Sequence, residues 1–95
     1  MLEKPQIYDL LSNCIEELNK QLPSEKRIKP DNDTLLLGPS SELDSLGVVT
    51  LFVSLEESLT NLGIPLDLMD ELLSYRDDHP FITVEGVVSW VESNS

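Results

Sequence analysis

The chain has 95 residues, which suits one small domain and leaves too little core for two. Eighteen acids face six bases, a net charge of −12, so a nucleic acid or an anionic membrane surface would be repelled and a partner with basic patches is favoured. A lone cysteine excludes an intrachain disulfide and a Cys-based zinc site.

The first predicted element is the helix "PQIYDLLSNCIEELNKQL". Ile7, Leu10, Leu11, Cys14, Ile15, Leu18 and Leu22 recur at three- and four-residue steps and form one apolar stripe. Pro5 suits a first helical turn, and Pro23 stops the chain from continuing as helix. Cys14 is expected as a core thiol. The opening "MLEKPQIYDLL" has no basic segment followed by an apolar run. No signal peptide is expected, no stretch approaches membrane-spanning length, and the cytoplasm is the expected location.

Residues 23–43, "PSEKRIKPDNDTLLLGPSSEL", hold three prolines, one glycine and many turn formers. They predict a long loop, and long loops in small domains are often functional. "TLLL" is expected to lie over the core as a short turn. Lys26, Arg27 and Lys29 are three of the six bases and are expected to relieve the acidic surface.

A second helix is predicted from Asp44 or Ser45 to about Leu62. "GVVTLFV" has strand propensity, but "SLEESLTNLG" continues it in helical pattern. Val48, Phe52, Leu55, Leu59 and Leu62 form one stripe with Val49 beside it, and Gly63 serves as a C-terminal stop. So broad a stripe implies a central helix buried on more than one side. After Pro65 a shorter third helix is predicted in "LDLMDELLSYRDD", with Leu66, Met69, Leu72 and Leu73 inward, broken by "DDHP". His79 precedes a proline in a polar turn and is expected to be exposed. The last helix is "TVEGVVSWVES", with Thr83 as N-cap, Glu85 in its first turn, and Val84, Val87, Val88 and Val91 inward. Trp90 at its edge is expected to pack. The fold class is therefore all-α, three main helices plus one short one, as a single domain over residues 1–95.

Ser45 stands where the long loop meets the second helix. As a simple N-cap it would stabilise by about 1 kcal/mol and imply no function. Asp44 could cap instead. A helix N-terminus also favours an attached phosphate through its dipole and unpaired N–H groups. A Ser45/His79/Asp78 hydrolase lacks the G-x-S-x-G turn and any reason for the three residues to converge.

In this setting the chain resembles the acyl carrier proteins and the wider phosphopantetheine-attachment domains. The resemblance rests on Asp44-Ser45-Leu46 preceded by Leu43, on "LDSLGVVTLFVSLEE" with Leu55-Glu56-Glu57, on "GIP" at 63–65, and on "TVEGVVSWV". It spans nearly the whole chain and implies an acyl-carrier-like four-helix bundle. It further implies a non-catalytic group carrier. Ser45 would bear covalent 4'-phosphopantetheine from coenzyme A, attached by a phosphopantetheinyl transferase, and the thiol of that arm would hold an acyl group as a thioester. A serine activated inside the transferase needs no base of its own. Asp44 and Leu46 are the motif neighbours. Docking to acyl-loading and acyl-processing enzymes with basic patches is expected at Leu46, Glu56 and Glu57, with the carrier a monomer. At positions where fatty-acid carriers have acids this chain has Gly47 and Thr50, and residues 66–82 are longer than usual. These departures imply a specialised carrier. The other readings are an aminoacyl or peptidyl carrier, and an unmodified interaction module of the same fold in which Ser45 is only a cap.

Overall fold

The computed structural model describes residues 2–37, 41, 43–73 and 79–95, with the backbone but not the side chains of Lys26, Ser45 and Pro80. Among the described residues four α-helices form: α1 (Lys4–Asn19), α2 (Ser45–Asn61), α3 (Leu68–Leu73) and α4 (Val84–Asn94). Two single 3-10 turns, Ser24–Lys26 and Pro80–Ile82, were not foreseen. Among the described residues there is no strand, only an isolated antiparallel bridge between Leu35 and Thr83. The all-α class is thus observed as a small helical bundle in which α1 packs on α2 and α4, and α3 packs on α2.

α1 begins as expected, with Pro5 in its first turn, where a missing N–H costs nothing. The Glu3 N–H donates to Gln6 Oε1 at 2.9 Å and ties the entry of the chain to that turn. The helix ends at Asn19, short of the predicted Leu22, because Asn19 turns its amide onto the loop. Its Nδ2 donates to the Ile28 carbonyl at 2.7 Å and its Oδ1 accepts from the Ile28 N–H at 3.0 Å. Arg27 Nε donates to the Asn19 and Leu22 carbonyls just after the helix end, at 3.0 and 3.3 Å. Ile7, Leu11, Cys14, Ile15 and Leu18 are buried.

α2 is a helix throughout, despite its valine-rich start. Val48, Leu51, Phe52, Leu55 and Leu59 are buried. The expected inward position of Leu62 is corrected: it follows the last helical residue and is 54% exposed. Gly63 at φ +83° turns the chain there, its N–H donating to the Thr60 carbonyl and the Ile64 N–H donating to the Leu59 carbonyl, both at 2.9 Å. This is a Schellman closure, and the left-handed backbone at its centre favours glycine. The expectation that α2 is buried on several sides is also corrected, since Val49 and Val53 remain exposed.

α3 starts at Leu68, two residues later than Leu66, because Asp67 caps it. Asp67 Oδ1 accepts from the Asp70 N–H at 2.9 Å. Leu68 is buried, Leu66, Met69 and Leu72 are half-buried, and Leu73, expected inward, is 79% exposed. The predicted continuation "SYRDD" and its "DD" break lie outside the described residues. α4 matches its expectation, with the Thr83 hydroxyl accepting from the Gly86 N–H at 3.1 Å and Val84, Val87, Val88 and Val91 buried.

Residues 28–36 of the long loop pack on the helices. Ile28 and Leu36 are buried, and the Tyr8 hydroxyl donates to the Pro30 carbonyl. The Asn32 and Thr34 carbonyls accept from the Glu85 and Val84 N–H groups at 2.9 and 3.1 Å, while the Leu36 N–H donates to the Ile82 carbonyl at 2.7 Å. The free donors at the start of α4 are thereby satisfied by the loop. "TLLL" does lie over the core, through Leu36.

Candidate functional site

The site is built on the first turn of α2. Asp44 is the N-cap, its Oδ1 accepting from the Gly47 N–H at 2.7 Å. Ser45 is therefore the first helical residue and not the cap. Its side chain lies outside what the structure describes. Leu46, next along, is 74% exposed.

Beside this turn lies a groove of about 350 Å³. Leu36, Leu37 and Leu43 from the loop, Val48 and Val49 from α2, and Leu72 and Leu73 from α3 line it, together with Asp44. Its walls are thus aliphatic except at the end of the loop, where the capping carboxylate stands. The Ser41 hydroxyl shapes that end, donating to the Leu36 carbonyl at 3.0 Å and accepting from the Leu43 N–H at 3.1 Å. A larger groove of about 490 Å³ lies between α1 and α4, lined by Tyr8, Asp9 and Glu85 among others, and includes none of Asp44, Ser45 and Leu46.

The two acids expected to dock partners divide. Glu57 is exposed. Glu56 is half-buried, and its Oε1 accepts from the Leu68 N–H at 2.9 Å, so it serves the start of α3. Gly47 is buried, and a Cβ there would stand 3.3 Å from Asp44 Oδ1 and 3.4 Å from Leu43 Cδ2. The position compared with an acid in fatty-acid carriers therefore faces the cap and not a partner. Nothing in the local pattern signals the Glu56 contact, since it depends on Leu68, twelve residues further along the chain.

His79 is corrected from exposed to buried, at 7%. Its Nδ1 accepts from the Phe81 N–H at 3.0 Å, so the ring proton sits on Nε2, which donates to the Glu71 carbonyl at 2.7 Å. The ring is a brace between α3 and the turn before α4, and no ring nitrogen is left to act as a base for Ser45. Phe81 then stacks on Phe52 with centroids 4.8 Å apart and meets the edge of Trp90 at 5.3 Å, giving Trp90 the packing role expected of it.

Cys14 is buried as expected, with Sγ 4.0 Å from the Ser58 hydroxyl. Burial pushes its thiol pKa up from the ordinary 9.0, the Ser58 hydroxyl pulls it down, and Glu17 adds a smaller upward push. Among the described residues no group of three His, Cys, Asp or Glu side chains is placed to hold a metal ion, and no helix is long and apolar enough to cross a membrane.

Comparison with models of protein families, with curated proteins and with solved structures finds no match to this chain.

Proposed function

We propose that the chain is an acyl carrier and that the Ser45 hydroxyl is the attachment point for 4'-phosphopantetheine. The observation that carries this reading is the capping of α2 by Asp44, which leaves the Asp-Ser-Leu serine at the first helical position without a capping duty. A phosphodiester there is favoured by the positive end of a 17-residue helix.

Once attached, the arm supplies a terminal thiol that can hold an acyl group as a thioester. The chain's own residues hold and present the load. Asp44 keeps the first turn wound. Leu46 marks the surface a partner must approach. The aliphatic groove beside Asp44 offers the apolar end of a load shelter from water, through Leu43, Val48 and Leu72.

The test is intact mass after incubation with coenzyme A and a broad-specificity phosphopantetheinyl transferase. Wild type gains one phosphopantetheine and Ser45→Ala gains none. Because Asp44 and not Ser45 is the cap, Ser45→Ala shifts stability by no more than about 0.5 kcal/mol in urea denaturation. A wild-type protein that stays unmodified across several transferases favours an interaction module in its place.

A further inference from the structure

The groove beside Asp44 has three walls, and one short turn is tied to all of them. α3 supplies Leu72 and Leu73, the loop supplies Leu36 and Leu37, and α2 supplies Val48 and Val49. The turn is Pro80–Ile82, with His79 as its N-cap. His79 reaches α3, its Nε2 donating at 2.7 Å to the carbonyl of Glu71, the residue before Leu72. Ile82 holds the loop, its carbonyl accepting from the Leu36 N–H at 2.7 Å. Between them Phe81 stacks on Phe52 of α2, with centroids 4.8 Å apart.

The three ties differ in kind. The loop tie joins backbone to backbone, and the α2 tie is a pair of fully buried rings. Neither needs a particular side chain at position 79. The α3 tie does, because it takes a side chain long enough to reach Glu71 and carrying an N–H at its far end. Nδ1 accepts from the Phe81 N–H, two residues on, and that bond fixes Nε2 as the donor that grips α3. The ring is buried, so it cannot exchange either bond for one to water, and losing one strands a polar group.

We propose that His79 is a positioning residue for the groove. Its Nε2 holds the α3 wall against the turn that already holds the loop and α2 walls, and so sets how well the apolar end of a load is shielded from water. The inference rests on the carrier reading for the nature of the load. It goes beyond that reading in placing control of the groove on a histidine outside its lining.

Two substitutions each keep half of the brace. His79→Asn keeps an acceptor for the N–H two residues on and is too short to reach Glu71. His79→Gln keeps a donor at the reach of Nε2 and gives up the fit to the Phe81 N–H. Wild type and both variants are loaded from octanoyl- or acetyl-coenzyme A by a broad-specificity phosphopantetheinyl transferase. Hydroxylamine then cleaves each thioester to a hydroxamate and the free arm thiol. Intact mass gives the rate, which is divided by that of the matching coenzyme A thioester. Hydrogen exchange of the Leu72 and Leu73 amides is measured on unloaded protein, and circular dichroism and urea midpoints establish folding. His79→Asn speeds that exchange about tenfold. It speeds octanoyl cleavage about threefold and leaves acetyl cleavage unchanged, since so short a load gains no shelter. His79→Gln stays close to wild type in both, even if its urea midpoint is the lower of the two. Equal effects of the two substitutions overturn the proposal, as does a folded His79→Asn with wild-type exchange. Faster exchange without faster octanoyl cleavage also overturns it, leaving His79 tied to α3 but not to the load. Wild type that cleaves both loads at equal relative rates overturns it without any variant and leaves the carrier reading standing. Wild type that accepts neither load overturns the carrier reading and the proposal with it.

Discussion

Three consecutive residues, Asp44, Ser45 and Leu46, separate into a cap, a first helical position and an exposed leucine. The sequence left the cap open between Ser45 and Asp44, since either type caps a helix, and the structure gives it to Asp44. Glu56 and Glu57 read alike in one dimension, and only α3 tells them apart. His79 misled for a related reason. A histidine before a proline in a polar segment reads as surface, and its burial depends on two backbone groups, of Glu71 and Phe81, on either side of it. Cys14 was readable, since its place on the apolar stripe of α1 requires burial. Its raised pKa keeps the thiol protonated in the folded state, so alkylation by iodoacetamide at pH 8 should be slow until urea unfolds the chain. The same shift makes stability independent of this thiol below its ordinary pKa of 9.0 and lowers stability as pH rises from there towards the folded value. Rapid alkylation of native protein would show that Cys14 is accessible.

At the scale of elements, α2 shows tertiary pattern overriding local propensity. "GVVTLFV" favours a strand by residue type, yet a strand would send Val48 and Leu51 to opposite faces of a sheet, whereas the helix buries both. The described part of α3, Leu68–Leu73, is held by anchors on α2 and at its own start. Leu68 enters the core, Asp67 caps the first turn, and Glu56 holds the Leu68 N–H. Glu56→Ala should therefore lower stability by about 1 kcal/mol and speed hydrogen exchange of the α3 amides, while Glu57→Ala leaves both unchanged. Equal effects of the two substitutions would remove Glu56 from its role at α3.

For the molecule as a whole, the acidic surface works against the compact state. Lys20–Glu17, at 3.1 Å, joins two side chains about 70% exposed, and such pairs contribute little. With a net charge of −12, repulsion among carboxylates should be relieved by salt. Raising NaCl from about 10 mM to about 150 mM shortens the screening length from about 30 to about 8 Å and should raise the urea midpoint with no change in slope. A midpoint that falls, or stays fixed, would mean that the carboxylates sit in local contacts that outweigh their repulsion. The loop carries the other whole-molecule feature. It satisfies the open N-terminus of α4 and the open C-terminus of α1 at once, which joins the two helices more firmly than their side-chain contacts alone.

The sequence by itself determined the four helices, the stop of α2 at Gly63, the cap at Thr83, and the inward stripes of α1 and α4. Each of these follows from interactions between residues a few positions apart, which a linear pattern records. The tertiary structure alone decided the end of α1, the burial of His79, the duty of Glu56, and the exposure of Val49, Val53 and Leu73. Those outcomes depend on which distant group arrives at a given donor, acceptor or apolar face, and chain spacing carries no record of that arrival.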